Sequence, residues 1–92
     1  MQNIILEEQE YKLFKDYREG YDSEALKERF TDYFLPYDYV LGDWSYGKLR
    51  LKGFYKKEHK DCRALNNFEG IENHLKKNCA FDCRYFIIEK SN

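Results

Sequence analysis

Residues 37–56 read YDYVLGDWSYGKLRLKGFYK, and the second half of this stretch decides the fold. From Lys48 to Lys56 the side chains alternate: Leu49, Leu51 and Tyr55 fall on one side, Lys48, Arg50, Lys52 and Lys56 on the other. A period of two with one apolar face predicts a half-buried antiparallel strand. Two positions break the pattern. Phe54 falls on the basic side, and Gly53 on the apolar side, where a strand glycine marks a bulge or a close backbone approach. The preceding residues, Tyr37–Trp44, read as a second strand. Tyr37, Tyr39 and Leu41 share one face, and Asp38, Val40 and Gly42 share the other. Ser45-Tyr46-Gly47 connects the two.

Upstream, Leu26, Phe30, Tyr33 and Phe34 recur at i, i+4, i+7 and i+8, which predicts a helix over Ser23–Phe34. Asp22 or Ser23 caps its first N–H groups, and Pro36 closes it at Leu35. Further back, Asn3–Leu6 and Tyr11–Phe14 read as two strands joined by a tight turn. Downstream, Lys57–Leu65 is polar and reads as a loop. Asn66 with Glu69 resembles a capping box, and Phe68, Ile71 and Leu75 mark a second helix to about Asn78. Cys83–Glu89 is a last strand, whose run Tyr85-Phe86-Ile87-Ile88 favours a central place in the sheet. The order ββαββαβ predicts an α+β fold: a single mostly antiparallel sheet with two helices packed on one face, one domain over 1–92. Leu26, Phe30, Phe34, Leu49, Leu51, Phe68, Ile71, Leu75 and Ile87 are the expected core.

Composition sets the outer limits. Of 92 residues, 42% are hydrophobic and 18% aromatic, too many rings for a disordered tail. No apolar run approaches the length of a membrane span, and the acidic first eleven residues predict no secretory signal peptide. Three Cys, an odd number, predict no disulfide framework and a reducing, cytoplasmic setting. Charge is uneven: residues 1–47 hold 5 Lys and Arg against 11 Asp and Glu, whereas 48–92 hold 11 against 6. Such asymmetry predicts a dipolar molecule with one basic face.

Two strings carry a family resemblance. Tyr37-Asp-Tyr-Val-Leu-Gly-Asp-Trp-Ser-Tyr-Gly-Lys-Leu-Arg-Leu-Lys-Gly-Phe54 and Cys79-Ala-Phe-Asp-Cys83-Arg-Tyr-Phe-Ile resemble the YutD-like family, and the similarity extends from about residue 4 to residue 90. The resemblance implies an α+β fold and a small cytoplasmic protein of a Gram-positive bacterium. It brings no catalytic residue with it.

Five constellations bear on function. The first is the basic strand: Lys48, Arg50, Lys52 and Lys56 would hold phosphates while Phe54 stacks on a base, which points to RNA or a ribosomal component. The last six elements also run βαββαβ, the order of an RRM, and Lys52-Gly53-Phe54 matches the opening of its RNP1 motif. Tyr55 and Lys56 then depart from it. The bland alternative is a solvated face whose lysines blunt association. The second is Gly42-Asp43-Trp44-Ser45-Tyr46-Gly47: exposed, Trp44 and Tyr46 are binding anchors; buried, they form a packing corner with Asp43 accepting turn N–H groups. The third, His59-x-x-Cys62 with Cys79-x-x-x-Cys83, could supply zinc ligands, but small buried thiols are the simpler reading, and no metal or other cofactor is expected. The fourth is catalysis, for which no nucleophile motif, P-loop or dinucleotide fingerprint appears, so no enzyme activity is expected. The fifth is the excess of tyrosine, nine in all, which supports a protein partner or a homodimer. Phe54 discriminates: exposed it favours nucleic acid, buried it favours the protein adaptor.

Overall fold

The structure, a computed structural model, describes residues 3–45, 47–63, 67–78 (backbone only from 76) and 84–91. Strands β1 (Asn3–Leu6) and β2 (Gln9–Tyr17) pair antiparallel, with Leu6 opposite Gln9. Their two-residue turn places Glu7 and Glu8 at positive φ, 49° and 67°. Type I′ turns require this sign at both central residues and normally use Asn and Gly. Burial of Ile4 and Leu6 therefore holds a turn that local chemistry disfavours.

Helix α1 (Ser23–Arg29) begins where Asp22 Oδ1 accepts the N–H groups of Glu24 and Ala25 at 3.1 and 3.2 Å. It ends at Arg29, short of the expected Phe34. Phe30 is extended, and a single 3₁₀ turn, Asp32–Phe34, follows. The break still leaves both phenylalanines in one apolar cluster, with Phe30 edge-on to Tyr11 at 5.6 Å. β3 (Tyr39–Ser45) and β4 (Lys48–Phe54) then form a hairpin closed by Ser45 opposite Lys48, with Gly47 at φ 76° in its turn. A 3₁₀ turn, Phe68–Gly70, leads into α2 (Ile71–Asn78). Asn67 caps this turn by accepting the Glu69 N–H at 2.9 Å; the expected cap, Asn66, lies outside the described residues. β5 (Tyr85–Lys90) completes the sheet.

The α+β expectation of one antiparallel sheet holds, and its spatial order is β1-β2-β5-β3-β4. β5 is central, as its apolar run predicts. The placing of both helices on one face is corrected. Leu26 of α1 packs with Val40, Phe86 and Ile88, whereas Ile71 of α2 packs with Leu41, Phe54 and Ile87. Val40 and Leu41 are adjacent, as are Phe86, Ile87 and Ile88, so the two clusters lie on opposite faces. The physical reason is that β3 and β5 are apolar on both sides and need cover on both. Leu26, Phe30, Leu49, Ile71 and Ile87 are buried as expected, while Phe34, Leu51, Phe68 and Leu75 are half-buried at the rims. Among the described residues, no helix is long and apolar enough to cross a membrane.

Candidate functional site

β4 is an edge strand, and its register fixes where the basic residues point. Lys48, Arg50 and Lys52 project to the α2 side, while Leu49 and Leu51 pack into the α1-side cluster. The alternation in the sequence thus holds from Lys48 to Lys52, and β4 ends at Phe54. Phe54 shares the face of Lys52, but α2 covers it: Phe54 is 1% exposed and lies edge-on to the His74 ring at 5.7 Å. The expectation of an exposed stacking ring is corrected, and with it the RRM analogy, since an RRM needs an open sheet face carrying aromatics. Lys52 Nζ stands 5.3 Å from the Phe54 ring centroid, at the rim of this cover. Lys56 lies beyond the end of β4 and is exposed; its N–H donates to Asp38 Oδ2 at 2.9 Å.

Gly53 explains the other break in the alternation. A Cβ there would come within 2.2 Å of the Tyr37 ring, so the glycine admits an aromatic against the backbone. Tyr37 in turn joins a row of rings at the margin of the α1 side: Tyr33 at 5.9 Å, Tyr55 at 4.6 Å and, beyond Tyr55, a stacked His59 at 4.2 Å. The Tyr37 hydroxyl donates to Tyr33 at 3.3 Å; that bond, reinforced by burial, pushes the Tyr37 phenol up to about 12. Tyr33 is 65% exposed and ends the row in solvent.

The hairpin residues Asp43 and Trp44 take structural positions. Asp43 is 3% exposed and accepts both Nε and Nη2 of Arg50, each at 3.0 Å. The expected bonds from turn N–H groups are corrected by this cross-strand pair, because Arg50 is directly opposite Asp43 in the register. Trp44 is half-buried. Its indole N–H donates to the Gly20 carbonyl at 2.7 Å, and the Arg84 guanidinium lies 4.7 Å over its ring. This is the packing corner that the sequence offers as one alternative. Tyr46 lies outside the described residues, as do Cys79 and Cys83. Cys62 is a half-buried free thiol. Among the described residues, no three His, Cys, Asp or Glu side chains cluster to hold a metal ion.

His74 belongs to no motif that the sequence singles out. It lines a cavity of about 230 Å³ with Leu41, Asp43, Arg50, Leu51 and Lys52. Its position three residues after Ile71, flanking the apolar stripe of α2, is the signal that could have found it. Burial is the main cause that lowers the His74 imidazole below its ordinary value.

The comparisons with known proteins agree with this architecture. Residues 5–89 match the family described as "Putative antitoxin YutD-like". The chain is 32% identical over 87 residues to "Putative antitoxin YutD" of Bacillus subtilis (strain 168), which covers 95% of this chain and 96% of that one. It is also similar to the solution NMR structure of protein yutD from B. subtilis, with a TM-score of 0.84 and 30% identity over 100% of this chain and 84% of that one. The chain therefore belongs to the YutD-like family.

Proposed function

We propose that this chain is a non-enzymatic, cytoplasmic protein-binding module of the antitoxin kind, which takes an acidic partner protein along the β4 edge. The carrying observation is that Lys48, Arg50 and Lys52 stand on an edge strand whose one aromatic, Phe54, is buried. Base stacking by that strand is lost, so Lys48 and Lys52 act by charge and by their aliphatic stems, while Arg50 is paired with Asp43. A lysine-bearing edge repels a second copy of itself, which counts against a homodimer through β4. The same edge attracts an acidic surface and speeds its encounter. The relative's printed name supports a protein partner, since a chain that neutralises a toxin without a catalytic constellation does so by binding. The exposed ring of Tyr33, in a chain rich in tyrosine, adds amphipathic contact area.

The test is a photo-cross-linker introduced at Lys48 in cells, with a second at Glu28 on α1 as the acidic-side control. The expected result is a protein adduct at position 48 that resists nuclease and disappears with Lys52→Glu. A nuclease-sensitive adduct at position 48 would return the basic strand to RNA and overturn this reading. So would a protein adduct indifferent to Lys52→Glu.

A further inference from the structure

Past the end of β4 the chain sets two turns side by side. The His59 N–H donates to the Lys56 carbonyl at 2.9 Å and closes the first; the second is the 3₁₀ turn Phe68–Gly70. A parallel bridge from Tyr55 to Asn67 joins them, and the Phe68 N–H donates to the Tyr55 carbonyl at 2.9 Å. Both turns border a cavity of about 220 Å³, lined by Tyr39, Lys56, Lys57, Glu58, Phe68 and Glu69. Its apolar part is aromatic. Tyr39 and Phe68 stack at 3.8 Å, and Phe14 from β2 stands edge-on to them at 5.7 and 5.6 Å. The Tyr39 hydroxyl donates to Glu89 Oε2 at 3.2 Å, so Tyr39 offers the cavity its ring and keeps its hydroxyl for β5. Around the rings stand two cations and two anions, all four exposed. Among the described residues, none of these four side chains forms an ion pair.

Size and charge together restrict the occupant. The cavity is smaller than the ~300–1,000 Å³ of pockets that take drug-sized ligands, so the ligand is small. A lone anion is drawn by Lys56 and Lys57 and repelled by Glu58 and Glu69; a lone cation meets the reverse. An uncharged apolar molecule fits the rings but strips water from four charges without return. A small molecule with both charges on an apolar body satisfies every wall. We propose that this cavity binds a free α-amino acid with an apolar side chain: Glu58 and Glu69 hold its ammonium, Lys56 and Lys57 its carboxylate, and the Tyr39–Phe68 pair its side chain. Glu58 acts at the rings themselves: behind burial and Glu89, it helps to push the Tyr39 phenol up to about 12. A carboxylate thus stands beside the aromatic wall, where an ammonium on an apolar body needs one. The site shares no residue with Lys48, Arg50 and Lys52, so it stands or falls apart from the protein-binding reading above.

The probe is L-leucine, titrated into the full chain at constant ionic strength. Two analogues with one charge each run beside it: isocaproate, which lacks the ammonium, and isoamylamine, which lacks the carboxylate. The readout is the ring-proton NMR signals of Tyr39 and Phe68. The expected result is saturable leucine binding in the millimolar range, with each analogue weaker by about fivefold or more. Glu69→Gln and Lys57→Gln alter exposed side chains and should leave the fold intact. Each should weaken leucine about threefold to fivefold. Glu69→Gln should do so without weakening isocaproate, and Lys57→Gln without weakening isoamylamine, a split that a merely structural role would not produce. No ring response to leucine overturns the proposal, as does an equal response to either analogue. An equal response to glycine removes the role of the rings and overturns the choice of an apolar side chain. A variant that weakens all three probes alike overturns the charge assignment.

Discussion

Arg50→Ala should destabilise the chain more than Asp43→Ala, although the two substitutions break the same pair. The asymmetry follows from where each charge sits: the Asp43 side chain is 5% exposed and the Arg50 side chain 48%. Removing Asp43 deletes two charge-assisted hydrogen bonds, but the guanidinium left behind already stands half in water. That loss is worth about 1–2 kcal/mol. Removing Arg50 strands a carboxylate beneath the α2 side of the sheet, and breaking a buried pair from this end costs about 3–5 kcal/mol. The double variant has neither the bonds nor the stranded charge, so it should return to about 1–2 kcal/mol below the parent. Asp43→Ala should therefore stabilise the Arg50→Ala background by about 2 kcal/mol while destabilising the parent, a change of sign that no additive account produces. Urea unfolding followed by Trp44 fluorescence measures all four corners of the cycle. The reasoning fails if Arg50→Ala costs no more than Asp43→Ala, or if the double variant is no more stable than Arg50→Ala alone.

Three further outcomes follow from the packing. The Tyr11 hydroxyl is buried without a hydrogen-bond partner among the described residues, so Tyr11→Phe should raise stability by about 1 kcal/mol in the same urea assay. Burial pushes the Tyr11 phenol up from 10.0 to about 12, so well below pH 10 it is neutral in both states and adds no pH dependence to stability. As pH climbs from about 10 towards 12 the unfolded chain ionises first and stability drains away, a loss that should shrink in Tyr11→Phe when unfolding is measured across that window. Glu8→Gly should stabilise by about 0.5–1 kcal/mol, because Glu8 sits at φ 67°, a conformation that glycine adopts without steric cost; an unchanged melting temperature would show the turn to be unstrained. Phe54→Ala should cost about 3–5 kcal/mol while Lys48→Ala stays within about 0.5 kcal/mol, and equal losses would mean that α2 does not cover Phe54.

Much of this architecture is legible in the residues, and the parts that are not share a cause. Leu26 and Phe30 give the inward side of α1 because helical spacing is a local property. Leu49 and Leu51 give the inward side of β4 because strand alternation is too. The run Tyr85–Ile88 gives β5 its central place. The same run implies cover on both faces, as does Tyr39-Val40-Leu41, where three successive side chains are 8%, 0% and 1% exposed. Read together, those runs call for a helix on each side of the sheet, and the breaks at Gly53 and Phe54 mark what presses there: the Tyr37 ring on one face, α2 on the other. The Asp43–Arg50 pair is written in no local pattern, because cross-strand neighbours become visible only with the register. The Glu7-Glu8 turn is hidden for the opposite reason: its residues contradict their conformation, and only the burial of Ile4 and Leu6 overrules them.

Cover on both faces restricts where recognition can occur. A sheet open on one side can lay aromatics against a base or a peptide; this one has spent both central faces on its own helices and must meet a partner at edges and rims. The edges differ in sign. The hairpin that bears β1 carries Glu7, Glu8 and Glu10, whereas β4 at the far side carries Lys48, Arg50 and Lys52. The imbalance between the halves of the sequence thus becomes a direction across the sheet, because the chain lays its first strand at one edge and its fourth at the other. A partner choosing by charge is drawn to one of these edges and turned from the other before any contact forms. β1 is only four residues long, which limits what can pair with it, while β4 offers seven with a cavity beside them.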